Sequence, residues 1–194
     1  MNFRNALVLG VPVSRVVFKA LAAIGFLWSG IAPADETWIL IDTNERTLIV
    51  MQGEKPLREF QDVSIGRNGS TGQKISQDKK TPLGAFRVSR IKNDSIYHRF
   101  IGLNYPDLEY ARRALEDGLI SPADYAAILA AHEQGREPPA DTPLGGFIGI
   151  HGIGDGDPRI HAEYNWTEGC VALSNEEVDE LAGWIRLNMV VLIL

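Results

Sequence analysis

Apolar and polar residues alternate in strand-like fashion over much of the chain. Trp38-Ile39-Leu40-Ile41 is a short apolar run, Asp42 to Arg46 a polar turn, and Thr47-Leu48-Ile49-Val50-Met51 the return, which together predict a β-hairpin. Phe60 to Gly66 reads as a further strand, and the Gly-, Ser-, Gln- and Lys-rich stretch from Gly66 to Lys80 as a long loop. Thr81-Pro82-Leu83-Gly84 is a turn that leads into a strand over Ala85 to Ser89. The middle of the chain changes period. Asp107 to Asp117 predicts one helix, stopped by Gly118. Ser121-Pro122-Ala123-Asp124 starts another, with Ser at the N-cap, Pro at the first helical position and an acid in the first turn, and Gly135 ends it after Gln134. Arg136 to Thr142 is a Pro-containing loop. Phe147-Ile148-Gly149-Ile150 reads as a buried strand that delivers His151-Gly152 at its end, followed by a polar loop to Glu168. Gly169 to Leu173 is a strand or strand end, and Ser174-Asn175-Glu176-Glu177 has capping-box spacing for a helix to about Leu187. Met189 to Leu194 closes the chain as a strand. Strands dominate and helices are inserted late, which predicts a β-rich α+β domain without internal repeats.

The first 34 residues are patterned differently. They hold Arg4, Arg15 and Lys19 and no acidic residue, then an apolar stretch from Ala20 to Ile31, then the small residues Ala32-Pro33-Ala34. A charged start, a short apolar core and a small-residue exit describe a secretory signal over residues 1–34. Retained uncleaved, the same segment is a membrane anchor and the chain's one link to a membrane. The domain is therefore expected to span residues 35–194 and to work in the periplasm or cell envelope. Removing the three basic residues of the leader from the 19 Lys and Arg leaves 16 against 25 Asp and Glu, a charge of −9. A nucleic-acid-binding domain carries a basic footprint, and this one is acidic.

Four His and one Cys leave no room for a disulfide framework or a Cys-rich zinc module. Cys170 is the only thiol, so it is either a small buried hydrophobe or a residue kept for reactivity. Gly169 before it lets a substrate approach the backbone closely, and N–H groups at a strand end followed by a capped helix are material for an oxyanion hole. His151, 19 positions upstream at the end of an apolar strand, is the natural base for a Cys170 nucleophile. His161 lies in the loop as a surface residue, a substrate contact or a metal ligand; its spacing to His151 and Cys170 matches no zinc pattern, and no metal or other cofactor is expected. His98 and His132 have no evident partner in the sequence.

Ile150-His151-Gly152, a loop, then Thr167-Glu168-Gly169-Cys170-Val171 resembles the signature of the L,D-transpeptidase catalytic domain, the YkuD family. Further matches are Gly66 with Lys80-Thr81-Pro82-Leu83-Gly84-Ala85-Phe86, Leu103-Asn104-Tyr105-Pro106, and Pro143-Leu144-Gly145-Gly146 before the His strand, so the resemblance runs from about Thr37 to Leu194. It implies a mixed β-sandwich with helices inserted before the catalytic strand and one near the C-terminus. It also implies an exported cysteine acyltransferase acting on the peptide stems of peptidoglycan. Carried over, Cys170 is the nucleophile and His151 the base. The Gly152 carbonyl orients the imidazole, the Gly169 and Cys170 amides hold the oxyanion, and Tyr105, Arg159, His161, Trp166 and Thr167 are substrate-contact candidates. Two positions depart from the usual pattern: Glu168 and Ala172 stand where many members carry a basic or amide side chain. That leaves the reader of the stem carboxylate unassigned, with Arg159 or Arg67 as substitutes. The form Thr-Glu-Gly-Cys resembles a proteobacterial subgroup that includes hydrolases detaching proteins from peptidoglycan. Transfer to an amine is the favoured reading, with an amidase of the same fold and a non-catalytic cell-wall-binding module as rivals. A cell-wall-linked protein is a further candidate partner.

Overall fold

In a computed structural model the described residues are 36–194, and they lie within one compact unit. The proposed leader, residues 1–34, lies outside the described residues. Among the described residues, no helix is long and apolar enough to cross a membrane.

The hairpin forms as the pattern predicts: β1 (Thr37–Asp42) pairs antiparallel with β2 (Thr47–Gln52), Asp42 opposite Thr47. Both are almost continuously apolar because both faces are covered, and Ile39, Ile41, Leu48 and Val50 are fully buried. The next strand falls earlier than expected. β3 is Lys55–Phe60 rather than Phe60–Gly66, and it is mostly exposed. It is the outer strand of the hairpin side, and its Lys, Arg, Glu and Pro are residues that blunt a free edge; that same composition hid it from hydropathy. Residues 61–66 instead cross the molecule. Ser64 exchanges backbone hydrogen bonds with Ala172, at 2.9 and 2.7 Å, so this segment ties the two ends of the sheet together.

The Gly66–Lys80 loop is confirmed apart from a two-residue parallel pairing of β4 (Ser70–Thr71) with β5 (Thr81–Pro82). β6 is far longer than the predicted Ala85–Ser89, running Gly84–Ser95. Its first half pairs with β10 (Val190–Ile193) and its second with β7 (His98–Leu103), with register shifts near Val88 and Lys92. Such irregularities bend a strand, and here one strand serves both halves of the sheet. β8 (Gly149–His151) and β9 (Val171–Ala172) complete the order β3-β2-β1-β10-β6-β7-β8-β9.

Two helices precede the His strand. α1 (Leu108–Glu116) is N-capped by Asp107, and α2 (Pro122–Glu133) by Ser121 in a reciprocal capping box with Asp124. Tyr110, Ala111 and Ala114 of α1 and Ile128 of α2 enter the main core. The polar loop after His151 contains an unpredicted short helix, α3 (Pro158–Glu163), capped by Asp157. α4 (Asn175–Ala182) has the predicted Ser174–Glu177 capping box but ends at Gly183 rather than Leu187.

Candidate active site

β8 is three residues long, and its alternation decides the site. Ile150 is fully buried in the core, so its neighbour His151 points to the opposite face of the sheet. There it is only 2% exposed and ringed by aromatics: Tyr97 at 4.3 Å between ring centroids, Phe100 stacked at 6.1 Å and Trp166 edge-on at 5.7 Å. Nδ1 lies 2.7 Å from the Gly152 carbonyl oxygen. A carbonyl only accepts, so Nδ1 carries the proton and Nε2 keeps its lone pair, the tautomer a general base requires. Burial pushes the imidazole down to about 4, against a smaller opposing effect of the Gly152 carbonyl. The ring is neutral at physiological pH. Glycine at 152 is demanded by close approach: a Cβ there meets Asn175 Oδ1 at 2.6 Å and the Tyr97 carbonyl at 2.8 Å.

Cys170 directly precedes β9. The parallel register, Ile150 with Val171 and His151 with Ala172, sets Cys170 beside Gly149 on the face that carries His151. Adjacent strands lie about 4.8 Å apart, so a residue two positions along on the same face of the neighbour is within reach of an aromatic side chain. The thiol donates to the Phe147 carbonyl at 3.4 Å. Phe147 has φ 58°, uncommon for a bulky residue, and its ring is 68% exposed, so the predicted buried strand begins only at Gly149. Burial pushes the Cys170 thiol up to about 11, opposed by the Gly149 amide and Lys74. Thiol up and imidazole down give a neutral resting pair. A thiol and a neutral imidazole are the forms from which a cysteine can be activated by a base as it attacks.

The loop before Cys170 corrects two expectations. Thr167 is buried; its hydroxyl donates to the Cys170 carbonyl at 2.7 Å and accepts from the Gly169 N–H at 3.1 Å. Thr167 is thus a clasp inside the loop rather than a substrate contact, and the Gly169 amide is spent within the loop rather than free for an oxyanion. Gly169 has φ +131°, and a Cβ on it lies 2.7 Å from the Lys80 carbonyl oxygen and 3.2 Å from Lys74 Nζ. No side chain fits.

Tyr105 is buried as well: it is 2% exposed, and its hydroxyl donates to the Leu144 carbonyl at 3.1 Å and lies 3.4 Å from that of Lys74. His161 is buried and accepts from Trp166 Nε1 at 3.3 Å, so it steadies the half-buried Trp166 that abuts His151. Arg159 is 87% exposed and pairs with Asp157 at 3.0 Å, and Arg67 pairs with Glu168, so both sequence candidates for a carboxylate reader already face a carboxylate. His98 and His132, unpartnered in the sequence, bond Asp179 and the Pro106 carbonyl. Among the described residues, no group of three or more His, Cys, Asp or Glu is placed to hold a metal ion.

Sequence reasoning missed Tyr97, Phe100, Phe147 and Lys74. The two aromatics reach His151 only through the β6–β7 hairpin, which hydropathy did not reveal. Lys74 sat in a stretch whose polarity read as solvated loop. The spacing of Lys74 and Asp78 was its one local trace, and it gave no sign of burial.

This fold and site place the chain in a known class: it belongs to the YkuD family, whose L,D-transpeptidase catalytic domain matches residues 36–193. Among solved structures, it is similar to Bd1075 of Bdellovibrio bacteriovorus, with 24% identity and a TM-score of 0.51 over 81% of this chain and 47% of that one. It is also similar to the helical cell shape determining protein Pgp2 of Campylobacter jejuni, with 23% identity and a TM-score of 0.55 over 91% of this chain and 54% of that one. The chain thus spans about half the length of these structures. Among curated proteins, none matches.

Proposed function

We propose that this protein is an exported cysteine acyltransferase that remodels peptidoglycan peptide stems through a Cys170 thioester. The observation that carries this reading is the His151 imidazole, neutral, with Nδ1 committed to the Gly152 carbonyl, on the sheet face shared with Cys170. The Cys170 proton moves to His151 Nε2 as sulfur attacks the carbonyl that joins the third stem residue to the terminal D-alanine. The C–S bond forms, and the Cys170 amide supports the oxyanion, since the Gly169 amide is engaged. The tetrahedral centre collapses with cleavage of the C–N bond. His151 returns its proton to the departing amine, and D-alanine leaves a thioester behind. An acceptor amine then adds, loses its proton to His151 and displaces the Cys170 thiolate, which takes that proton back. Water in place of the amine makes the same enzyme a hydrolase. A bound amine prevails over water through its effective molarity.

The test is purified protein with a tetrapeptide-stem muropeptide, with and without an amine acceptor, read by mass spectrometry. Cross-linked or amine-exchanged product is expected. Tripeptide stems alone, formed at a rate indifferent to acceptor, make the protein a hydrolase. An unchanged substrate leaves the reading as a cell-wall binder.

A further inference from the structure

Lys74 lies between β4 and β5, in the loop that its composition marks as solvated. Its side chain is 4% exposed. The surroundings keep it there. Its backbone N–H donates to the Tyr110 hydroxyl and its carbonyl accepts from the Tyr105 hydroxyl, and both tyrosines are buried. Nζ donates to Asp78 Oδ1 at 2.6 Å, and the Asp78 carboxylate also accepts from the backbone N–H groups of Ile75 at 3.0 Å and Lys80 at 2.9 Å. Burial is the largest single influence on the Asp78 carboxyl and raises it, but the hydrogen bonds from Lys74 and these amides together outweigh it and hold the group below the usual range. The ammonium also lies against Gly169, where a Cβ comes within 3.2 Å of Nζ. A buried ammonium costs several kcal/mol of solvation, and one carboxylate leaves part of its three-donor capacity for other acceptors. A fold that needed only a filler here has cheaper choices.

We infer that Lys74 is a positioning residue for the nucleophile: anchored by Asp78 and the Tyr105–Tyr110 pedestal, it holds a positive charge against the Gly169–Cys170 segment and favours negative charge on the sulfur. The inference rests on Cys170 being the nucleophile. The charged and titratable groups about this segment are His151, on the neighbouring strand β8, Lys74, whose Nζ lies against Gly169 and is paired with Asp78, and the Arg67–Glu168 pair, whose Glu168 adjoins Gly169 in sequence. Lys74 acts on the thiol in the direction the inference requires, lowering its proton affinity against burial.

The experiment is the pH profile of Cys170 alkylation by iodoacetamide in the full chain, located by mass spectrometry, with circular dichroism and thermal unfolding alongside. Lys74→Met is expected to raise the thiol midpoint by about one pH unit, so that alkylation below the midpoint slows about tenfold. Lys74→Arg is expected to restore most of that rate. Asp78→Asn leaves the cation less compensated and is expected to move the midpoint down. A folded Lys74→Met with the wild-type profile overturns the inference. So does an Asp78→Asn midpoint that stays put or rises, and this arm decides the matter should Lys74→Met not fold. If alkylation in the wild type is indifferent to His151→Gln, the reading of Cys170 as nucleophile falls and takes the inference with it. A His151-dependent wild type with an unmoved Lys74→Met profile removes the inference alone.

Discussion

Removing the imidazole at position 151 leaves a thiol that burial holds protonated and no neighbour to take its proton. His151→Gln is therefore expected to lower turnover by about 100-fold or more in a stem-cleavage assay. The same side chain carries a pH signature. Its folded value of about 4 lies below its ordinary 6.5, so the unfolded chain takes up the proton first. The stability it contributes is complete above pH 6.5 and is lost as pH falls through about 4, on the order of a few kcal/mol. Urea unfolding at pH 7 and pH 4.5 is expected to show a smaller loss in His151→Gln than in the wild type. An equal loss assigns the acid sensitivity elsewhere, for instance to His161, which burial also lowers. Thr167→Val is expected to cost about 1–3 kcal/mol of stability, because it orphans the Gly169 amide and breaks the clasp on the Cys170 carbonyl. Differential unfolding of the two proteins checks it. At this scale the candidate pair was legible in the sequence because covalent chemistry needs particular residue types: one thiol, and one His delivered by an apolar strand. The register of β8 and β9 places the two on one face. The roles of Tyr105, Thr167 and Gly169 were not, since each depends on burial or on a hydrogen bond that local sequence does not encode.

Elements with local signals were readable, and those defined by partners were not. The caps of α2 and α4 stand where Ser121 and Ser174 predict, because a side chain bonding an amide three residues on is a local event. β3 was misplaced because an edge strand carries charge for reasons of solubility, and β7 was missed because its pairing with β6 is irregular. α4 stopped early because Gly183 caps it, leaving Trp184 and Ile185 as packing residues after the helix rather than part of it. The helical pair also has a task. Tyr110 of α1 supports the Lys74 backbone, so packing of α1 and α2 bears on the β4–β5 loop that carries Lys74. Ile128→Ala, a fully buried truncation in α2, is expected to cost about 2–5 kcal/mol, measured by denaturant unfolding. A cost below about 0.5 kcal/mol contradicts the packing described.

For the whole domain, the sheet order sets β3 and β9 at opposite edges, with β6 shared between the two halves. The β1–β10 pairing and the Ser64–Ala172 bridge join distant parts of the chain, and the bridge falls on β9, which follows Cys170 and pairs with the His151 strand β8. The acidic domain and its leader-like first 34 residues lead to a separate expectation: protein recovered outside the inner membrane begins at Asp35. Full-length chain confined to the membrane fraction establishes an anchor instead. The central claim is that Cys170 carries the acyl group. Intact-protein mass spectrometry after brief mixing with a tetrapeptide-stem donor tests it most directly. An adduct equal to the donor less D-alanine is expected, mapped to Cys170, labile to hydroxylamine and absent from Cys170→Ala. Turnover by Cys170→Ala, or an adduct on any other residue, contradicts it.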